Sequence, residues 1–258
     1  MSLPVALINV VYPPACLLCH RALAPSWSKP SGRALPSFHT LTTDAPEDLL
    51  CHHCREDLPR CGPPVCQRCG LQLAGAFDAV LECAGCRQTA WAFDAARAPW
   101  RYEGAIREAV RQFKYARRWR LGRWLAQTMA ITAQRSLPMD DIEIVLPIPS
   151  HWAKRWLKGF HPTRVLADTV ARSLGKPTAS GWLRRARWTK TQTRLRSNER
   201  FRNVAGAFRA TKRAARGLGI LLVDDVLTSG ATAHACALAL KEAGARHVSV
   251  LTAARTAI

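Results

Sequence analysis

Asp224 and Asp225 stand side by side after the apolar run Ile220-Leu-Leu-Val223. Beyond Val226 and Leu227 they are followed by Thr228, Ser229, Gly230, Ala231 and Thr232. This combination can do chemistry. A strand that runs into a small turn and then a helix points the turn amides and the first helical amides at one spot, where the helix dipole adds positive potential. Thr228, Ser229 and Thr232 add hydroxyl donors, and Gly230 and Ala231 keep bulk away, so the turn suits a phosphate. The two carboxylates just upstream suit the hydroxyls of a sugar carrying that phosphate, or its Mg²⁺. The same residues also fit an ordinary buried strand, turn and helix. The binding reading is preferred because acids and phosphate turn occur together at the C-terminal end of a strand, where α/β sheets take their ligands.

A second chemistry lies at the other end of the chain. Cys16-Leu-Leu-Cys19, Cys51-His-His-Cys54, Cys66-Gln-Arg-Cys69 and Cys83-Ala-Gly-Cys86 are four CxxC knuckles. Two intervening residues let both thiolates face one ion, and two knuckles complete a tetrahedral Cys₄ zinc site. Four in tandem predict two structural Zn²⁺ sites, a double zinc ribbon. Sequential pairing is the simplest assignment, and spacing leaves a crossed one open. His20, His52 and His53 adjoin ligands and are alternative donors. Cys61 falls outside the knuckles. No acid or base is arranged to use an open metal position, so the metal reads as structural.

The elements that must position these groups follow from periodicity. Residues 92–102 supply an entry strand. Ile106, Val110 and Phe113, then Leu121, Trp124, Leu125, Thr128 and Met129, recur at helical spacing. Glu143–Pro149 is a short apolar strand ended by proline. A helix carrying Val165, Leu166, Thr169, Val170 and Leu174 follows, then a strand over 219–223, a helix over 231–243 and a strand over 247–252. Strands alternating with helices argue for an α/β fold with a parallel sheet. After the proline-ended strand, Arg155, Lys158 and Gly159 form a basic turn suited to a diphosphate, with a solvated basic loop as the plainer alternative. Composition changes near Trp91, which predicts a ribbon domain over 1–90 and an α/β domain over 91–258.

Composition limits the remaining choices. No apolar run approaches the roughly 18 residues of a membrane span. Residues 3–12 are apolar, but no basic residue precedes them and they run into Cys16. They read as a short packing helix rather than a secretory signal, and a cytoplasmic location is expected. Residues 21–50, rich in Ser, Pro and Thr, read as a surface loop. The formal net charge is +20, more than one small phosphorylated ligand requires. Residues 152–216 carry eighteen Lys and Arg against Asp168 and Glu199, and 97–123 is also basic. Trp152, Trp156, Trp182, Trp188 and Phe201 lie among these cations. Positive charge interleaved with aromatics fits single-stranded DNA, whose phosphates take the charge and whose bases stack.

The segment 220–232 resembles the phosphoribosyl-pyrophosphate (PRPP) fingerprint of type I phosphoribosyltransferases, with Ser229 in place of a Thr. Over nearly its whole length the chain resembles the competence-associated ComF family. The resemblance rests on the double zinc ribbon, Tyr102-Glu103-Gly104, Phe113-Lys114-Tyr115, Pro147-Ile-Pro149 and Lys158-Gly159-Phe160. It continues through Thr191-Gln192, Glu199-Arg200, Asn203 and Gly206-Ala-Phe208 to the fingerprint. It implies a type I phosphoribosyltransferase fold, PRPP with Mg²⁺ as ligand, and a part in single-stranded DNA handling during transformation, with a helicase of the uptake machinery as a partner. It also implies that Asp224 and Asp225 hold the ribose hydroxyls and residues 228–232 the 5-phosphate. If the chain turns over, the acids are its catalytic pair. Two departures matter. Thr228 stands where purine-salvage relatives place an Asp as general base, which disfavours a hypoxanthine-type reaction. His161-Pro162 replaces the usual Asn-Gln, although Pro162 can still start a helix.

Overall fold

The structure, a computed structural model, describes residues 15–23, 49–74, 81–149, 161–187, 197–211 and 215–257. The expected helix at 3–12, most of the 21–50 loop, and the candidate residues Arg155, Lys158 and Gly159 lie outside the described residues. So do Trp152, Trp156, Trp188 and Thr191-Gln192.

Two compact units divide the chain, Met1–Leu58 and Pro59–Ile258. The first holds the first two knuckles and helix α1 (His52–Glu56). The second holds the other two knuckles, with helix α2 (Ala84–Gln88), and the whole sheet. The knuckles of the two units repeat one local design. Ala15 bridges Ala22 as Val65 bridges Gln72. The Cys16 amide donates to Arg21 O at 2.8 Å, as the Cys66 amide donates to Leu71 O at 2.7 Å. The residue after Cys19 and the residue after Cys69 are both left-handed, His20 at φ 62° and Gly70 at φ 68°.

The sheet is built from short β1 (Ala95–Arg97) and β2 (Trp100–Arg101), with β3 (Ile144–Pro147), β6 (Gly219–Leu227) and β7 (His247–Arg255). The order is β1-β7-β6-β3, with β2 also on β7, and every pairing is parallel. The entry strand over 92–102 is therefore two pieces, broken at Ala98-Pro99, where proline has no N–H for the ladder. Helices α3 (Gly104–Ala116) and α4 (Trp119–Ser136) lead to β3, and α5 (Pro162–Leu174) follows it, with Pro162 in its first turn. After α5 come an antiparallel pair, β4 (Leu183–Arg185) with β5 (Phe208–Ala210), and helix α6 (Ser197–Val204) between them. The antiparallel pair has no counterpart in the sequence pattern, because its strands are three residues each. Helix α7 (Ala231–Glu242) crosses from β6 to β7.

β7 is buried along nearly its whole length, and β6 from Gly219 to Val223 and again at Leu227, as parallel strands covered on both faces must be. Alternate residues Ile144, Leu146, Ile220, Leu222, Val248 and Val250 join one core cluster with the alanine-rich face of α7. Small side chains let that helix lie close to the strands. β6 runs beyond the expected 219–223 to Leu227, since β7 extends to Arg255 and keeps it paired. The acids are thus inside a strand, not after it.

The second ribbon is joined to the sheet by direct bonds. The Ala96 amide of β1 donates to Arg68 O at 2.7 Å, and Arg97 Nη1 donates to Gln67 O at 2.8 Å. Arg255, at the end of β7, donates from Nη2 to Cys69 Sγ at 3.2 Å. A Cβ on Gly70 would stand 2.5 Å from Ala96 O. Gly70→Ala combines that collision with a left-handed backbone, a conformation that costs about 1–3 kcal/mol for a non-glycine residue. Urea denaturation is expected to show a loss of at least that size, and an unchanged midpoint would contradict the docking.

Candidate functional site

The C-terminal ends of β6 and β7 open into a cleft of about 350 Å³ lined by Tyr102, Lys114, Asp224, Asp225, Thr228, Gly230, Thr232 and Thr252, among others. The ladder places Asp224 opposite Thr252 and Leu227 opposite Arg255. Residues 228–230 then turn, and α7 starts from Gly230, whose φ of 78° is left-handed. The first amides of such a helix have no intrahelical partner and carry the positive end of its dipole. The Ala231 amide leans weakly on Ser229 Oγ at 3.5 Å. Of the sequence-predicted cradle, Thr228, Gly230 and Thr232 line the cleft with both acids. Ser229 and Ala231 belong to the same turn.

The acid pair is held asymmetrically. The Asp225 amide donates to Asp224 Oδ1 at 2.8 Å. Lys114, near the end of α3, sets its Nζ 2.8 Å from Asp225 Oδ2. Burial works against the Lys114 charge, but Asp225 and Asp224 win and hold the ammonium above its usual value. Burial, and then the Asp225 charge, push the Asp224 carboxyl up to about 8, against the pull of Lys114, the Asp225 amide and Arg185. Lys114, Tyr102 and Thr252 were not among the predicted site residues. Lys114 and Tyr102 sit in motifs that carried the family resemblance, without an assigned role. Thr252 carries no sequence signal beyond its place in an apolar strand.

The cysteines form two tetrads, Cys16, Cys19, Cys51 and Cys54, and Cys66, Cys69, Cys83 and Cys86. In each, the sulfurs lie within 4.8 Å of one another. This is the sequential pairing. Four sulfurs bound at about 2.3 Å around a tetrahedral zinc stand about 3.8 Å apart. Cys19 and Cys51 sulfurs are 3.6 Å apart, and those of Cys69 and Cys83 are 3.7 Å apart. Burial raises the Cys16 thiol, yet amide donors from Cys19, Cys51 and Leu18 outweigh it and bring it down to about 6. In the second tetrad burial likewise opposes ionisation of Cys66, and the Cys69 and Cys83 amides bring it to about 7. Burial pushes the Cys54, Cys69 and Cys86 thiols up, so the amides favour a thiolate at one cysteine of each tetrad. Both tetrads can hold a zinc ion.

The basic stretches are placed unevenly. Trp182 and Phe201 are partly buried against the main core. Within the 97–123 stretch, Tyr115 is 66% and Trp119 56% exposed. They flank the turn between α3 and α4, among exposed Arg117, Arg118, Arg120 and Arg123. No helix among the described residues is long and apolar enough to cross a membrane.

The chain is 32% identical over 205 residues to DNA utilization protein YhgH of Salmonella typhi, covering 74% of this chain and 84% of that protein. The chain belongs to the ComF family. Competence protein F of Haemophilus influenzae is 24% identical over 211 residues (80% of this chain, 90% of that protein). Competence protein ComFC of Bacillus subtilis is 27% identical over 225 residues (82% and 86%). No family model matches the chain. Among solved structures, glutamine PRPP amidotransferase from B. subtilis, complexed with ADP and GMP, aligns with a TM-score of 0.34 and 24% identity. That alignment covers 50% of this chain and 25% of that one, so the ComF chain spans about a quarter of that enzyme's length.

Two measurements test this site. An acid whose folded-state pKa is raised keeps a proton that the unfolded chain has released. Between the ordinary Asp value of about 4 and about 8, folding stability therefore falls as pH rises. Asp224→Asn removes that dependence, so its melting temperature is expected to gain on the wild type steadily from pH 5 to pH 8. A pH-independent difference would contradict the shift. Metal analysis of the purified chain is expected to give two zinc equivalents, one for each tetrad. A single equivalent would mean that one tetrad is not a ligand set.

Proposed function

We propose that this chain binds PRPP with Mg²⁺ at the β6–α7 turn and handles single-stranded DNA during natural transformation, in the cytoplasm. The observation that carries the reading is the acid pair in the same cleft as the turn and the start of α7, with Lys114 2.8 Å from Asp225. Asp224 and Asp225 take the ribose hydroxyls, residues 228–232 the 5-phosphate, and Arg155, Lys158 and Gly159 the diphosphate. Asp224 and Asp225 are also the carboxylates that could hold Mg²⁺, which would supply positive charge against the diphosphate. Lys114 supplies a cation to the acid side of the cleft. The relatives' names, DNA utilization protein and competence protein, support the DNA side of the reading.

The two cysteine tetrads carry structural zinc. The ribbon modules they form are a platform for docking proteins of the uptake machinery, such as a helicase. Turnover is a second reading. Thr228 has no pKa suited to a general base at neutral pH, so transfer to a nucleobase is disfavoured, and a transferase here uses another acceptor with pyrophosphate as leaving group.

Calorimetry with PRPP and Mg²⁺ is expected to show saturable binding that Asp224→Ala/Asp225→Ala weakens at least about tenfold, the loss of one or two hydrogen bonds to charged groups. Indistinguishable affinities would remove the assignment. Sustained pyrophosphate release with any acceptor would replace the binding reading by the transferase one.

For DNA, affinity for an oligonucleotide is expected to fall by about 0.7 log units per log unit of salt for each phosphate neutralised. Tyr115→Ala/Trp119→Ala is expected to lower it about tenfold or more without changing that slope. A flat salt response would remove the DNA claim.

A further inference from the structure

Trp91 lies between two sites that share no residues. On one side it packs against the second cysteine tetrad, and on the other against the main core. The chain from ligand to ring is short and bonded. Cys86 heads the last turn of α2, the Thr89 amide donates to Cys86 O, and the Trp91 amide donates to Thr89 O at 3.0 Å. A Cβ on Gly230 would stand 2.9 Å from both Cη2 and Cζ3 of the indole. The ring is therefore the wall behind the phosphate turn, and Gly230 is glycine both for its left-handed backbone and for this approach.

The wall itself is braced. Trp91 stacks on Phe93 at 4.9 Å between centroids and meets Phe201 at 5.6 Å and the edge of His234 at 5.9 Å. The Ala92 amide donates to His234 Nδ1 at 3.1 Å, and the His234 amide donates to Gly230 O at 2.8 Å. Residues 91 and 92 thus grip the turn at Gly230 and the first turn of α7 together. The backbone amides aimed at a phosphate are as well placed as this grip makes them, and the grip hangs from α2, whose start and middle are the ligands Cys83 and Cys86.

We propose that Trp91 is a positioning residue through which metal occupancy of the Cys66, Cys69, Cys83 and Cys86 tetrad sets the affinity of the 228–232 turn for a sugar phosphate monoester. The metal does not touch the ligand. It orders α2, α2 places the indole, and the indole holds the amides in register. The inference rests on the proposed ligand site and adds a control to it.

The test is calorimetry of the full chain with ribose 5-phosphate and, separately, with pyrophosphate and Mg²⁺, alongside metal content. Trp91→Ala is expected to weaken ribose 5-phosphate about ten- to a hundredfold, the worth of one or two misaligned charge-assisted hydrogen bonds, and to leave pyrophosphate unchanged. Trp91→Phe, which keeps a ring against Phe93, is expected to recover most of the loss. Cys83→Ser is expected to lose one metal equivalent and to behave as Trp91→Ala. Equal losses for both ligands in Trp91→Ala would reduce the residue to general stability and overturn the proposal. So would wild-type affinity in that variant, which needs no metal-ligand substitution to be informative. A wild type that ignores ribose 5-phosphate overturns the proposed function and this inference together, whereas unchanged binding in Trp91→Ala overturns this inference alone.

Discussion

The long parallel ladder between β6 and β7 is the constraint on which the other features depend. It pairs Gly219 with His247 at one end and Leu227 with Arg255 at the other. By carrying the ladder past Val223, it takes the two acids out of a loose turn and puts them in a strand whose position is fixed by main-chain bonds. The turn at 228–230 and the direction of α7 follow from where that strand stops. At the same end of the partner strand, Arg255 reaches Cys69, so the ladder also anchors the second ribbon.

Electrostatics adds the second layer. Two adjacent carboxyls in a half-buried cleft repel each other and resist losing their water, and the raised Asp224 value expresses both. One lysine, drawn in from the end of α3, offsets part of that cost. The site is an acid pair with mutual repulsion beside a turn of helix-start amides. Such a pair gains from hydroxyl donors or a cation, and the turn gains from an anion. A phosphorylated sugar satisfies both at once, which is why the two halves of the cleft make more sense together than apart.

Much of this was legible in the residues because the relevant signals are local. CxxC spacing fixes which two sulfurs face one ion and leaves the pairing of knuckles open, and the tetrads come together in the sequential, simplest arrangement. The apolar run, acids and small turn predict strand, site and helix in the right order, with α7 starting at the expected residue. What stayed hidden is non-local. The extra length of β6 depends on the length of its neighbour, β4 and β5 are too short to leave a period, and Pro99 splits the entry strand without ending its pairing with β7. Lys114 enters the site only because α3 ends beside β6. Trp182 and Phe201, read as aromatics in a basic stretch, are partly buried against the core. Among the described residues, Tyr115 and Trp119 are the more exposed aromatics. The division near residue 90 followed composition, whereas compactness divides the chain after Leu58 and keeps the second tetrad with the sheet. Trp91, at the compositional boundary, lies within the second compact unit.

The central claim is that the amides of residues 228–232 and the acids ahead of them form one PRPP site. Hydrogen–deuterium exchange on the full chain, with and without PRPP and Mg²⁺, tests it most directly. The account predicts slowed exchange concentrated in the peptides covering 224–234. Protection elsewhere, with those peptides exchanging as fast as in the free protein, would contradict it.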